Sequence, residues 1–360
     1  MRCLQGGGLC VSSVDCKHRS KGLMGGSTEW EDQLRNQKNI VSTDERNPFH
    51  DWNHVYMRYC SGDTWVGTNT EESGPGRFGL WFSGHYQVEA ALTYVRDTWG
   101  IGSEEGGQFM LAGGSAGGIG TNNNCNFVQS FFGDNVETRC SPQAGLFFPQ
   151  NTEAEWLKRF HFPEGMSMNR IGALYISKLF DSYLDPGCVE YAKAKGDHIE
   201  YCWEASYLLP HIKPKILVAQ NFWDKNQIDN ILCWESHIPL IGCSHKYMRE
   251  FKNHTVTQLT NLATKTMKGQ LAVFAPSCYT HTENLCLFAK DRQPTTVNGM
   301  TYLDTMKEWL TNPAEQPVVI DQCKGKKSDR KPCNPTDCWF CPEPKKKHKK
   351  KHHKKKKKHD

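Results

Sequence analysis

Short apolar runs and stretches of helical spacing alternate along this chain of 360 residues. Strand-like runs stand at His54–Cys60 (HVYMRYC), Gln108–Ala112 (QFMLA), Lys215–Gln220 (KILVAQ) and Gln270–Ala275 (QLAVFA). Tyr86–Gly100 sets Val88, Ala91, Leu92, Val95 and Trp99 on one helical face and closes on a glycine. Helical stretches near Met168–Tyr183 and Tyr247–Met267 separate the later strands. Strands spaced by helices predict an α/β fold, a mostly parallel sheet with helices packed on both faces. No internal repeat is visible. Residues 1–341 read as one domain, and Pro342-Glu343-Pro344 opens a tail over 342–360.

Composition adds a compartment to that outline. Hydrophobic content of 38% belongs to a folded chain, and no apolar run approaches the length of a membrane span. Sixteen cysteines run from Cys3 to Cys341, a load that predicts a disulfide-rich protein of an oxidising compartment rather than a cytosolic metal binder. Asn253-His254-Thr255 is an N-glycosylation sequon and agrees with secretion, naming Asn253 as the acceptor. No signal peptide follows Met1. The expectation is therefore a secreted, extracellular protein whose natural N-terminus lies ahead of this sequence.

The net charge of +5 is unevenly spread. Residues 345–360 hold 11 Lys, 4 His and one Asp, a formal +10, so the remaining 344 residues carry 5 − 10 = −5. A mildly acidic body with a basic appendage is not a basic domain, and no specific nucleic-acid partner is expected. The rival reading, an intracellular Cys-rich nucleic-acid binder, would have mostly reduced cysteines. The tail Lys345–Asp360 is disordered by composition, and its charge suits an acidic glycan or another anionic surface. Cys323, Cys333, Cys338 and Cys341 close the body and read as two disulfides rather than a zinc site.

The chemistry gathers after the second strand. Gly113-Gly114-Ser115-Ala116-Gly117 satisfies G-x-S-x-G, the turn that holds a nucleophilic serine proud of a sheet edge. A serine needs a base, and the base an orienting acid, in the chain order Ser, Asp, His. Asp224 lies just past KILVAQ and His281 just past QLAVFA, each where a strand should end. His237, His245 and His254 compete for the base, but two lie in Cys-bearing loops and one in the sequon. Gln5-Gly6-Gly7-Gly8-Leu9 is a glycine run of the kind that supplies an oxyanion hole, with Ala116 giving a further N–H.

Taken in order, LQGGGLC (4–10), NPFHDWNHVYMRYCSGDTWVG (47–67), LAGGSAGG (111–118), WDKNQIDNIL (223–232), PSCYTHTE (276–283) and PCNPTDC (332–338) resemble the pectin acetylesterase/Notum family over nearly the whole chain. The resemblance implies an α/β-hydrolase-like fold, secretion, several disulfides, a Ser115-Asp224-His281 triad and an oxyanion hole of Gly7, Gly8 and Ala116. It implies no metal or organic cofactor. It also implies residues ahead of the GGG motif, so the first strands of the fold are expected to be missing. Two positions depart from the family. Leu9 stands where plant members have Trp, and Gln143 where the family has Asp in Asp-Ala-Gly-Phe-Phe.

The resemblance carries two substrate classes, acetyl groups on a polysaccharide or palmitoleate on a lipidated, Wnt-type protein. Phe147, Phe148, Phe222 and Trp223 could line a pocket for either, or belong to the core. The enzyme is expected to be a monomer. The competing reading is a catalytically lapsed member that only binds acidic glycans.

Overall fold

The computed structural model describes residues 2–28, 30–31, 40–70, 76–102, 106–147, 168–229, 245–282, 294–312, 315–322 and 333–334. Among them is a seven-stranded sheet, every neighbouring pair parallel. Its strands are β1 (Arg2–Leu4), β2 (Val55–Met57), β3 (Gly107–Gly114), β4 (Val136–Gln143), β5 (Lys215–Ala219), β6 (Leu271–Ala275) and β9 (Val318–Ile320), in the spatial order β2-β1-β3-β4-β5-β6-β9. A small antiparallel pair, β7 (Thr296–Val297) with β8 (Met300–Thr301), lies apart from it. The four strand-like runs became β2, β3, β5 and β6.

Alternation along each central strand divides the core in two. Phe109 and Leu111 of β3, Ile216 and Val218 of β5, and Leu271, Val273 and Ala275 of β6 share one cluster. Helix α1 (Ser13–Arg19) follows β1, and helices α2 (Gly84–Trp99) and α3 (Ala116–Phe132) join the cluster through Val88, Leu92 and Val128. Met110, Ala112, Leu217, Ala219, Ala272 and Phe274 face the other way, against Phe49 and against Tyr302, Met306 and Trp309 of helix Tyr302–Thr311. Burial on both faces is why β5 (KILVA) and β6 (LAVFA) read as unbroken apolar runs. The predicted α/β class with helices on both faces is what the chain adopts.

Three strands of the sheet were not visible in the sequence, the edge strand β9 and the interior strands β1 and β4. β1 is only three residues long yet lies between β2 and β3. β4 (VETRCSPQ) is nearly all buried although it reads as polar, because its side chains have partners inside. Arg139 donates to the Trp309 carbonyl, Ser141 and Gln143 meet the Tyr302 hydroxyl, and Cys140 is bonded to Cys125 of α3. Buried polar groups are tolerated when they are hydrogen-bonded.

Disulfides also join Cys10 to Cys16 and Cys188 to Cys202, and Cys278 and Cys333 are disulfide-bonded too. Cys323, Cys338, Cys341 and the tail Lys345–Asp360 lie outside the described residues. Cys3 and Cys60 are free thiols, and burial pushes the Cys3 thiol up to about 12, so it is inert at neutral pH. Asn253 is exposed on helix His245–Asn261, with the Thr255 of its sequon buried below it.

The Cys125–Cys140 bond closes a 15-residue separation and ties α3 to β4, a loop length for which a cross-link stabilises by about 3 kcal/mol. The double variant Cys125→Ala/Cys140→Ala is expected to unfold at lower denaturant by that amount. An unchanged midpoint in guanidinium titration would show that the bond does not form.

Candidate active site

The sheet's carboxyl edge is where the chemistry gathers. Strand β3 ends at Gly114, Ser115 takes φ 58° and ψ −121°, and α3 starts at Ala116. A serine in that sparsely populated conformation costs on the order of 1–3 kcal/mol and persists only where the surroundings fix it. Glycine is needed on both sides. A Cβ on Gly113 would stand 2.3 Å from the Gly117 carbonyl oxygen, and one on Gly117 would stand 2.1 Å from that of Leu4. The Ser115 amide then donates to the Gln143 carbonyl at 2.9 Å.

Asp224 follows β5 by five residues and is fully buried. One of its carboxylate oxygens accepts from the Gln227 amide at 3.0 Å, the other from Gln220 Nε2 at 3.1 Å. His281 comes from the loop after β6. The Asn221 side chain holds that loop by donating to the carbonyls of Thr280 and His281, both at 3.2 Å. His281 Nδ1 lies 2.8 Å from Asp224 Oδ2, and its Nε2 lies 2.8 Å from Ser115 Oγ. A carboxylate can only accept, so it fixes the ring proton on Nδ1 and leaves Nε2 to take the serine proton. The structure thus brings all three sequence-predicted side chains into one hydrogen-bonded row.

A cavity of about 330 Å³ opens over Ser115 and His281, walled by Gln5, Gly6, Gly7, Gly8 and Thr282, with Leu4 and Tyr56 as its larger apolar side chains. The glycine run is therefore at the serine, as its motif predicts. Ala116, the first residue of α3, is buried behind Ser115, and an amide at a helix start has no intrahelical acceptor. Of the four aromatic candidates, Phe147 meets the His281 ring edge-on with centroids 6.5 Å apart, while Phe222 and Trp223 are core. Phe148 and His237 lie outside the described residues. Of the competing histidines, His254 is half-buried on helix His245–Asn261, which His245 opens.

Sequence reasoning missed the residues that support this row. Gln220 and Asn221 sit directly after KILVA, and Gln227 sits three residues past Asp224. Polar residues crowded at a strand end beside an acid were the available signal. Gln143, a departure from the family, sends its side chain to the Tyr302 hydroxyl at 2.8 Å and supports Ser115 through its backbone.

The Pectinacetylesterase family profile matches residues 2–336. The chain belongs to that family. It is 28% identical over 320 residues to the palmitoleoyl-protein carboxylesterase NOTUM of Drosophila melanogaster, a match covering 85% of this chain and 43% of that protein. It is 22% identical over 349 residues to pectin acetylesterase 5 of Arabidopsis thaliana, covering 92% of this chain and 75% of that one. The solved structure of the Wnt deacylase Notum from Drosophila superposes with a TM-score of 0.70 at 24% identity, covering 89% of this chain and 87% of that one, and so shares the fold. By their names these relatives are carboxylic ester hydrolases.

Replacing Asp224 by Asn presents an amide to a ring nitrogen that needs an acceptor. Ester turnover by Asp224→Asn is expected to fall by about 10⁴-fold while the fold is kept, as for the same exchange in other triads. The check is kcat on p-nitrophenyl acetate beside a circular dichroism melt.

Proposed function

We propose that the protein is a secreted serine carboxylesterase that removes small O-acyl groups, acetyl above all, from an extracellular polysaccharide. The observation that carries the reading is the Ser115–His281–Asp224 row, 2.8 Å at each step, opening on the glycine-walled cavity. Eight disulfide-bonded cysteines among the described residues support an oxidising compartment, and exposed Asn253 is available for glycosylation. All three groups whose loss would mark a lapsed member are present and hydrogen-bonded, which favours the active reading.

His281 Nε2 takes the Ser115 proton as Oγ attacks the ester carbonyl. The oxygen that becomes negative rests on the amides of Gly7, Gly8 and Ala116. As the tetrahedral adduct collapses, the C–O bond to the alcohol breaks and His281 returns the proton to the leaving oxygen. Water, deprotonated by the same imidazole, then attacks the acyl carbon, and as the bond to Oγ breaks His281 returns the proton to Ser115. The charge that His281 gains each time it accepts a proton is balanced by the Asp224 carboxylate beside it.

The preference for a small acyl group follows from the cavity. Its 330 Å³ is at the low end of small-ligand sites, roughly 300–1,000 Å³, and four of its eleven described wall residues are glycines. A sixteen-carbon chain needs an apolar sleeve. On p-nitrophenyl esters, kcat/KM is expected to be highest for acetate and to fall at octanoate and beyond. A rise with chain length would replace the acetyl reading by a fatty-acyl one. Ser115→Ala is expected to lower kcat by about 10⁶-fold, and unchanged hydrolysis would remove the serine mechanism altogether.

The tail Lys345–Asp360 is proposed to hold the enzyme on acidic polysaccharide by charge. Its deletion is expected to raise KM on acetylated polyuronate at low salt and to leave a neutral p-nitrophenyl ester unaffected. Equal KM for both forms would remove the tail from substrate binding.

A further inference from the structure

The Gln5–Gly8 segment is gripped from behind by side chains of two other segments. Trp65 Nε1 donates to the Gln5 carbonyl at 3.0 Å, Arg19 Nη2 donates to the Gly7 carbonyl, and the Tyr59 hydroxyl donates to the Gly8 carbonyl at 2.9 Å. Gln5 is fixed further, its amide on the Met57 carbonyl at 3.1 Å and its Oε1 on the Tyr59 amide at 3.0 Å.

Those bonds govern where the amides point. A trans peptide unit is planar, with its C=O and the next N–H directed oppositely. Holding the Gly7 carbonyl on Arg19 therefore aims the Gly8 N–H the other way. The Gly7 N–H belongs to the unit between two that are held, by Trp65 on one side and Arg19 on the other. Glycines alone would leave these units free to rotate.

The grip is itself braced. Thr64 and Trp65 both have positive φ, 58° and 66°, which is unfavourable for a β-branched and for a bulky side chain. The buried Asp63 carboxylate holds that bend by accepting from the Ser61 hydroxyl and from the amides of Trp65 (3.0 Å), Gly67 (3.1 Å) and Gly84 (2.7 Å). Burial pushes its pKa up and the four donors pull it back down. The Tyr59 hydroxyl also accepts from the Thr64 amide at 2.7 Å, so one oxygen ties the strained bend to the glycine loop. Trp65 is wholly buried against α3, where a Cβ on Gly120 would stand 2.5 Å from its own Cβ.

We propose that Tyr59, Trp65 and Arg19, braced by Asp63, are positioning residues that aim the Gly7 and Gly8 amides at the oxygen on which charge develops. The proposal rests on reading those amides as the oxyanion hole. None of the four side chains need touch the substrate. They act through the backbone.

The test uses Trp65→Phe, Tyr59→Phe and Arg19→Gln in the full chain, each removing a donor to a loop carbonyl. Active sites are counted by titration with a fluorophosphonate, so that misfolded protein drops out of kcat. Each variant is expected to lose 10- to 100-fold in kcat per titrated site, part of the 10²–10³-fold that a whole oxyanion donor is worth, with KM for p-nitrophenyl acetate within about twofold. An alkylboronic acid gives a second readout. Its boron binds Ser115 Oγ, the serine proton passes to His281, and the tetrahedral boronate carries the negative charge. Its Ki is expected to rise by the factor that kcat/KM falls. A role in stability alone would lower the melting temperature and leave kcat per site and the boronate Ki as in the parent. Parent-like values in all three variants, beside an inactive Ser115→Ala, overturn the proposal and leave the esterase reading intact. An active Ser115→Ala overturns the reading itself. Should Trp65→Phe fail to fold, Arg19→Gln, on a half-buried side chain, and the conservative Tyr59→Phe carry the test.

Discussion

Two stretches of backbone meet at this site with nothing between them, and the rest of the structure is arranged to allow it. Gly6 stands against the Gly114 carbonyl, and Gly117 against that of Leu4, so close that a single methyl at either would collide. This contact sets the loop after β1 beside the serine. It also explains why a three-residue strand occupies an interior position of the sheet: β1 pairs on both sides, and its register against Leu111–Gly113 of β3 delivers the glycine run to the elbow. A longer side chain at Gly6 or Gly117 would separate the two loops and carry the glycine run away from the serine.

Once that contact is made, the remaining groups arrive by topology. The strands are parallel, so their carboxyl ends share an edge, and the loops after β3, β5 and β6 converge there. Asp224 and His281 come from neighbouring strands and are bound to each other's loops. Asn221 holds the Thr280 and His281 carbonyls, the Phe222 amide reaches the Pro276 carbonyl, and the Lys225 amide reaches that of Thr280. Trp223 closes the seam through its indole N–H on Ser277 Oγ. Most of these bonds use backbone atoms, which tolerate changes of sequence that leave the chain path alone.

That division explains what could be read from the chain. β3, β5 and β6 are legible because burial on both faces demands apolar residues, and the glycines of GGSAG are legible because no other residue fits. Ser115, Asp224 and His281 stand out because nucleophilic chemistry needs those residue types after those strands. β4 was hidden because its polar side chains are satisfied by distant partners, such as Tyr302, which lies some 160 residues further on and contacts Ser141 and Gln143. Tyr59, Trp65 and Arg19 were hidden for a related reason. Each binds a carbonyl, and a carbonyl has no residue type, so nothing in LQGGGLC says which side chains hold it. The motif CSGDTWVG is legible only as a resemblance; its physical meaning appears when Asp63 is seen gathering four donors.

The two departures from the family's pattern follow the same logic. Gln143 replaces an acid, yet what reaches Ser115 from this position is the main-chain carbonyl, which any residue supplies. The side chain turns instead to Tyr302 on the opposite face of the sheet, where a neutral amide can donate to a hydroxyl and a carboxylate could only accept. Leu9 replaces an indole next to the glycine loop. It packs with Cys10, Val66 and Phe82 in a cluster behind the loop, and it is not among the residues that wall the cavity. Both side chains thus lie away from the cavity, and what position 143 gives Ser115 is main chain. The cavity wall at this point is glycine main chain, Gly6 to Gly8, beside Ser115 and His281.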